Sequence, residues 1–326
     1  MRNSIMKLGS ALILAGFVFA NGACTKEDEP TPPSPSQKTI AQIAADDGDF
    51  SILVDALSRT GLLATVSDNS ANLTVFAPTN QAFADLLAEL NLPDLDAVEN
   101  ALGTEGLKTV VLYHVLGMEV KSNMVSTGYV STAAVNSTDD ALSLFINTMS
   151  GVKINNRAMV TTPDVDASNG VIHIIDKVIL PLSIYDLLMV NPDYSSLTTA
   201  LGVADGNLDA LLADIAAGPF TVFGPDNMAF GDLLTELNLA DLPAVVASLG
   251  TDGLADVLLY HVVPGNINSD EVPSGMVTTA SSEMFSIDMT AGVAITDKNN
   301  RTGMVKVVDI QGTNGVIHTI DKVLLP

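Results

Sequence analysis

The residues of this 326-residue chain best suited to chemistry are its four histidines, which occupy two matched pairs of positions. His114 and His261 each follow a tyrosine, while His173 and His318 each end a V-I-H segment. An imidazole can act as a general base or a metal ligand near neutral pH. A metal site needs several convergent ligands, however, and two histidines per repeat without cysteines or ligand-like spacing do not supply them. Their apolar neighbours favour buried, neutral imidazoles that bond to backbone carbonyls.

The sequence contains no recognisable catalytic motif. P-loop, H-E-x-x-H and G-x-S-x-G patterns are all missing, and the placement of the 38 acidic residues indicates no catalytic carboxylate pair. We therefore predict a protein that is not an enzyme, needs no cofactor and holds no metal. The formal net charge of −24, with only 14 Lys and Arg, also argues against nucleic-acid partners, because phosphate contacts require clustered cations.

Two long motifs occur twice in the chain. TVFAPTNQAF at 74–83 returns at 221–230 with seven of ten positions identical, and NGVIHIIDKVILP at 169–181 returns at 314–326 with eleven of thirteen identical. The offsets of 147 and 145 residues exceed the roughly 20 to 50 residues of solenoid repeats. The sequence therefore predicts two tandem domains, 39–182 and 183–326, each large enough to bury its own core.

Within each repeat, helical patterns come first and strand patterns follow. Thr39 and Ser183 are predicted helix N-caps, and a β-branched T-V-F strand leads into an amphipathic helix. The later segments of Val, Ile, Thr and Ser, broken by Gly and Asn, predict a β-meander that an Asn-Gly turn closes. Each repeat is therefore predicted to be an α+β domain whose mainly antiparallel sheet folds as a sandwich or wedge and includes one early strand.

The start of the chain resembles a bacterial lipoprotein precursor. A positively charged beginning precedes an apolar segment at 11–20 that is too short to span a bilayer, and Cys24 follows. We predict a lipoprotein signal peptide at 1–23 and a lipid on Cys24 that anchors the protein to a membrane. The alternative is ordinary cleavage near Ala23 that leaves a free thiol. Residues 24–38, which include four prolines, are predicted to form a disordered tether.

The mainly acidic run at 26–29, just behind the cysteine, resembles the export signal of bacterial surface lipoproteins. We therefore expect an outer-membrane lipoprotein that faces the cell exterior. The alternative is a protein that faces the periplasm.

The T-V-F-x-P segment with its capped helix, the Tyr-His pair and the closing N-G-V-I-H-x-I-D segment are present in both repeats. Together they resemble the fasciclin domain, the FAS1 module of cell-surface adhesion proteins, and the resemblance covers residues 39–326. It implies a seven-stranded β-sandwich wedge with small helices along one side. It also implies a tethered extracellular protein that makes surface contacts.

The resemblance further implies candidate partner-binding residues. In animal members, integrin-contacting residues lie at the Tyr-His region and at an Asp-Ile pair five residues before the Asn-Gly turn. The matching positions are Tyr113, His114, Asp164, Val165, Tyr260, His261, Asp309 and Ile310. Repeat one departs from the family pattern at Val165. Because a bacterial protein need not meet integrins, these positions imply a contact surface for a surface protein or glycan of unknown identity.

The leading hypothesis is a lipid-anchored, non-enzymatic surface protein whose two fasciclin-like domains form an adhesion or protein-interaction module. The alternative is a carbohydrate-binding accessory lipoprotein of a polysaccharide uptake system. Sugar sites usually use exposed aromatic platforms, and the chain has no Trp and only five Tyr. This composition favours the first hypothesis.

Overall fold

The computed structural model describes residues 38–290 and 292–326. The predicted signal peptide, Cys24 and all but the last residue of the predicted tether lie outside the described residues. The rest of the chain folds into two α+β domains, as the sequence predicted.

Each domain has five α-helices and seven strands within these described ranges. The first domain consists of α1 (Ile40–Asp46), α2 (Ser51–Arg59), α3 (Leu63–Ser67), β1 (Leu73–Pro78), α4 (Asn80–Leu90), α5 (Leu95–Tyr113), β2 (Val115–Leu116), β3 (Gly128–Val135), β4 (Ala141–Asn147), β5 (Lys153–Ile154), β6 (Ala158–Ala167) and β7 (Gly170–Ile175). The second consists of α6 (Ile184–Val190), α7 (Ser195–Val203), α8 (Leu208–Ala213), β8 (Phe220–Pro225), α9 (Asn227–Leu237), α10 (Leu242–Leu259), β9 (Val262–Pro264), β10 (Gly275–Thr278), β11 (Met284–Asp288), β12 (Ala294–Thr296), β13 (Thr302–Gly312) and β14 (Gly315–Ile320).

The strands of each domain form one mixed seven-stranded sheet. The order is β2-β1-β7-β6-β5-β4-β3 in the first domain and β10-β11-β12-β13-β14-β8-β9 in the second. The early strand β1 pairs in parallel with the last strand β7, with Leu73 opposite Gly170, and β8 pairs with β14 in the same way. The remaining ladders are antiparallel. The prediction of an early strand that joins the sheet across a long sequence separation is confirmed.

Each sheet curves around a core of its own side chains. One cluster in the first domain takes residues from all seven strands: Phe76, Leu116, Ala134, Leu144, Ile154, Ala158 and Ile175. The second domain repeats the arrangement with Phe223, Val263, Val277, Phe285, Ile295, Val305 and Ile320. A separate cluster packs the helices onto the β1–β7 pair. Side chains from both ends of one sheet can meet only if the sheet folds over, which agrees with the predicted wedge.

Local signals in the sequence set the helix boundaries. The hydroxyl of Thr39 accepts a hydrogen bond from the backbone amide of Gln42, and Ser183 caps α6 in the same way. Gly103, with φ 73°, interrupts α5, and Gly250, with φ 75°, interrupts α10. This left-handed φ favours glycine because a Cβ would be strained there.

One helix among the described residues, α10, is long and apolar enough to span a membrane by length and composition alone. Gly250 divides it into two short segments, however, and Leu254, Val257 and Leu258 pack into the core of the second domain. We therefore interpret α10 as a core element.

The two domains contact each other beyond the short Pro181–Leu182 connection. The Tyr129 ring packs against the core of the second domain, and its hydroxyl donates to the Leu187 carbonyl oxygen at 2.7 Å. The carboxylate of Asp140 accepts hydrogen bonds from Asn266 at 2.7 Å and from Asn268 at 2.8 Å. These contacts restrict the angle between the domains.

Candidate functional site

The histidines at the ends of α5 and α10 are buried and fully hydrogen-bonded. His114 Nδ1 lies 2.7 Å from the Val110 carbonyl oxygen, and its Nε2 accepts from the Ile179 amide at 3.1 Å. An Nε2 that accepts must be unprotonated, so Nδ1 carries the proton and donates to Val110. His261 makes the equivalent bonds to the Val257 carbonyl and the Leu324 amide, both at 2.8 Å. Each ring ties a helix end to the segment after the last strand.

Burial lowers the pKa of His114 and of His261 to about 4, although the hydrogen bond that each donates to a carbonyl acts in the opposite direction. Both rings are therefore neutral at physiological pH. With exposures of 3% and 2%, neither can reach a substrate or a partner.

The second pair of histidines holds a β-bulge. His173 Nδ1 accepts from the Asp164 amide at 3.2 Å, and its Nε2 donates to the Val120 carbonyl at 2.8 Å. Asp164 has a φ of 58° and lies where the β6–β7 register shifts. His318 and Asp309 repeat the arrangement in the second domain, where the φ of Asp309 is 59°. Each buried ring thus fixes the conformation of an aspartate at the surface.

A serine holds each of these aspartates from the other side. The Ser122 amide donates to Asp164 Oδ1 at 2.8 Å, and the Ser122 hydroxyl bonds to Oδ2. Ser269 binds Asp309 through the same two bonds, at 2.8 Å and 2.6 Å. Although partial burial acts to raise it, the hydrogen bonds from Ser122 hold the pKa of Asp164 below its usual value. A carboxylate anchored in this way is ionised and rigid.

The predicted partner-binding residues divide by accessibility. Those with 3% exposure or less are Tyr113, His114, Tyr260, His261 and Ile310. Val165 is half-buried against the helix-side core. Asp164 and Asp309 keep side-chain exposures of 35% and 38%. Their role in binding stays a prediction, but only the two aspartates offer polar atoms that a partner could contact without rearrangement of the core.

The buried tyrosines have a structural explanation. Tyr113 donates to the Ser143 carbonyl at 2.7 Å and accepts from Asn155 Nδ2 at 3.2 Å, and Tyr260 donates to the Met284 carbonyl at 2.8 Å. The Tyr-His pair therefore connects the end of a helix to strand β4 or β11. Among the residues that the structure describes, no group of three or more His, Cys, Asp or Glu could hold a metal ion.

The surroundings of the two aspartates differ between the domains. Lys121 lies beside Asp164 and pairs with Asp166 at 2.9 Å on the surface. The residue 147 positions after Lys121 is Asn268, which instead binds Asp140 of the first domain. A residue beside the Ser269–Asp309 pair therefore takes part in the contact between the domains, whereas Lys121 pairs within the first domain.

Comparison with known proteins identifies the family. The Fasciclin domain model matches residues 48–181 and again residues 192–326. The chain belongs to the fasciclin domain family. Both matches lie within the two domains described above, so the recurring Tyr-His, Asp and Asn-Gly positions are features of two fasciclin domains.

Several relatives share this architecture in part. Transforming growth factor-beta-induced protein ig-h3 of Sus scrofa is 26% identical over 270 residues, which cover 82% of this chain and 37% of that protein. Periostin of Homo sapiens is 30% identical over 266 residues, which cover 79% of this chain and 29% of periostin. Protein sll1483 of Synechocystis is 40% identical over 145 residues, which cover 44% of this chain and 74% of that protein. The chain thus spans 37% of the length of ig-h3 and 29% of the length of periostin.

Among solved structures, a FAS1 domain pair from the insect cell adhesion molecule fasciclin I is similar to this chain. The TM-score is 0.46 at 19% identity, over 88% of this chain and 96% of that chain.

Sequence reasoning missed the residues that support the two aspartates. Ser122 and Ser269 lie 147 positions apart, the same offset that relates the T-V-F segments. A residue-by-residue alignment of the two repeats could have found them. It could not have shown that they bind the aspartates, because 42 positions separate Ser122 from Asp164 along the chain.

Proposed function

We propose that this protein is a lipid-anchored, non-enzymatic module at the outer surface of the outer membrane, where its two fasciclin domains mediate adhesion or protein interaction. Fasciclin homologues are adhesion or extracellular-matrix interaction proteins, and fasciclin domains are in general not enzymes. The anchor is inferred from the leader and Cys24.

The observation that carries the proposal is the pair of anchored aspartates on two fasciclin domains. Asp164 is ionised, is held by Ser122 and His173, and still exposes about a third of its side chain at 35%. Such a carboxylate can accept further hydrogen bonds from a cationic partner with little loss of conformational entropy. All four histidines are buried, so none of them is available as a general base.

An adhesion assay tests the role of this site. Asp164→Asn removes the charge but keeps a residue that tolerates positive φ, so the bulge should persist. We expect cells that carry Asp164→Asn to aggregate or attach less than wild type, and Asp309→Asn, the matched variant, to have a smaller effect because the domain contact occupies part of its surroundings. Unchanged attachment in both variants would remove the aspartates from the contact surface.

Protease treatment of intact cells tests the location. Degradation on intact cells supports the outward-facing position, whereas protection that is lost on lysis would point to the periplasm. Cys24→Ala should abolish fatty-acid labelling and release the protein from the membrane fraction. A glycan array with saturable binding would favour carbohydrate recognition over protein interaction.

A further inference from the structure

An open apolar groove lies between α4 and α5 of the first domain. Its cavity has a volume of about 660 Å³. Leu86, Leu95 and Val98 line it, and Leu90 and Leu102, which stand on the two helices, are 45% and 49% exposed. Contiguous apolar surface of this kind is uncommon on soluble proteins and marks binding sites.

The second domain repeats the groove between α9 and α10, at about 210 Å³. Leu237 and Leu249 stand 147 positions after Leu90 and Leu102 and are 41% and 44% exposed. The exposed leucines are therefore a shared feature of both domains. The two grooves differ in volume, and the groove of the first domain is about three times larger than that of the second.

The first groove extends beyond its own domain. Ile215, which is 66% exposed, and Thr313 of the second domain line part of it. The second groove is lined by residues of the second domain alone. Thr313 Oγ is buried and has no hydrogen-bond partner among the described residues.

The helices that flank the grooves are acidic. Their acidic residues are Asp85, Glu89, Asp96, Glu99 and Glu105 on α4 and α5, and Asp232, Glu236, Asp252 and Asp256 on α9 and α10. Lys108 is the one basic residue on these four helices. In the first domain, Lys108 and three basic residues from other elements, Arg59, Arg157 and Lys177, pair with these acids, so four basic side chains face five acidic ones. The chain as a whole carries a formal net charge of −24, and a positively charged partner complements that excess of acidic residues.

We propose that the groove of the first domain docks an amphipathic helix of a partner protein, with Leu-type side chains at i, i+3 or i+4, and i+7 and with Lys or Arg beside them. Leu90 and Leu102 both line the groove from different helices, and each is about half exposed. A helix, about 10 Å across with its side chains, would cover both. The inference rests on the proposed function as a protein-interaction module and names the class of partner.

Fluorescence anisotropy with a labelled synthetic helix tests the inference on the purified protein. The probe has a leucine stripe and a lysine-rich opposite face. Its controls are a scrambled peptide of the same composition and a peptide with Glu in place of Lys. We expect saturable binding of the probe that weakens with added salt, and at least tenfold weaker binding of both controls. Equal binding of the scrambled peptide would overturn the proposal, because only charge would then be recognised.

Paired variants locate the site. Leu90→Gln/Leu102→Gln should weaken binding by about tenfold or more, because each substitution removes a leucine side chain that the docked helix would bury. The matched double variant Leu237→Gln/Leu249→Gln should change binding less than about threefold. Circular dichroism and the unfolding midpoint verify that each variant folds. Undiminished binding to the first variant would overturn the assignment to this groove, as would binding of a fluorescent fatty acid but not of the peptide.

A comparison of peptide binding with cell attachment separates this inference from the proposed function. If the peptide does not bind while cells with wild-type protein still attach, the groove inference fails and the adhesion role stands. If the peptide binds but cells with and without the protein attach equally, the adhesion role fails and the groove inference stands.

Discussion

Asn169 Oδ1 accepts a hydrogen bond from the backbone amide of Ile40 at 2.9 Å, across 129 residues of the chain. Its Nδ2 donates to the Val66 and Asp68 carbonyls, both at 3.0 Å. Asn314 binds the Ile184 amide at 2.9 Å in the second domain. In the first domain, the Asn169 side chain thus connects the β6–β7 turn to the first turn of α1 and to the end of α3.

Asn169→Ala should destabilise the first domain by about 2–3 kcal/mol, because it leaves a buried amide and two carbonyls without their partner. Urea unfolding measures the loss. Asn299→Ala provides the control, since that exposed side chain makes only long bonds of 3.3 and 3.4 Å, and it should stay within about 0.5 kcal/mol of wild type. Similar losses for the two variants would contradict the anchoring role.

Gly170 approaches β1 too closely for any side chain. A Cβ at this position would lie 1.9 Å from the Leu73 carbonyl oxygen, and the φ of 139° also disfavours other residues. Gly170→Ala should therefore cost more than about 3 kcal/mol or prevent folding. Gly48→Ala, where no atom lies within 4 Å, should be nearly neutral. A Gly170→Ala protein with an unchanged urea midpoint would show that β1 and β7 can separate without loss.

The two pairs of histidines should adopt opposite tautomers. His114 and His261 carry the proton on Nδ1, whereas His173 and His318 donate from Nε2. Long-range ¹H–¹⁵N correlation spectra distinguish the two forms directly. Four rings in a single tautomer, or rings that average between forms, would contradict the hydrogen bonds described above.

These histidines should also make stability depend on pH. The pKa of His114 and His261 is about 4 in the folded protein and about 6.5 in the unfolded chain. Below pH 6.5 the unfolded chain therefore takes up protons that the folded protein does not, and the free energy of unfolding falls as the pH falls. By pH 5.5 the loss should be about 1.4 kcal/mol per histidine, and it should level off below pH 4. Urea midpoints at pH 7.5 and 5.5 measure it, and imidazole signals that titrate near 6.5 in the folded protein would contradict it.

The sequence predicted the features that depend on neighbouring residues. Thr39 and Ser183, the predicted N-caps, act within one helical turn, so their patterns could be read directly. The Asn-Gly turn was also expected, but not the burial of the Asn169 side chain, because its partners lie about a hundred or more positions away.

The candidate site was harder to predict for the same reason. Family resemblance selected Tyr113 and His114, yet both side chains are buried and bond to backbone atoms, among them the distant Ser143 carbonyl and Ile179 amide. Leu90 lies on the predicted amphipathic helix, whereas the sequence analysis made no prediction for Leu102. Only the packing of α4 against α5 shows that these two remain half exposed.

Part of the contact between the domains comes from the β3–β4 hairpin, which is longer than the β10–β11 hairpin of the second domain. Thr132 bonds the Leu142 carbonyl and Thr279 bonds the Glu283 carbonyl, both at 2.9 Å, so these positions correspond. Residues 133–141 lie between the first two, but only 280–282 lie between the second two. The extra length carries Asp140 to the second domain.

Tyr129→Ala/Asp140→Ala should therefore loosen the angle between the domains without unfolding either one. The substitutions remove the packed ring, its bond to Leu187 and both amide bonds to Asp140. Small-angle X-ray scattering should give a narrow distribution of distances for wild type and a broader one, with a larger radius of gyration, for the variant. Asp139→Asn, at the exposed neighbouring position, should scatter like wild type. A broad distribution in the wild-type protein would mean that these contacts are too weak to fix the angle, since interfaces between domains in one chain commonly permit motion unless they are extensive.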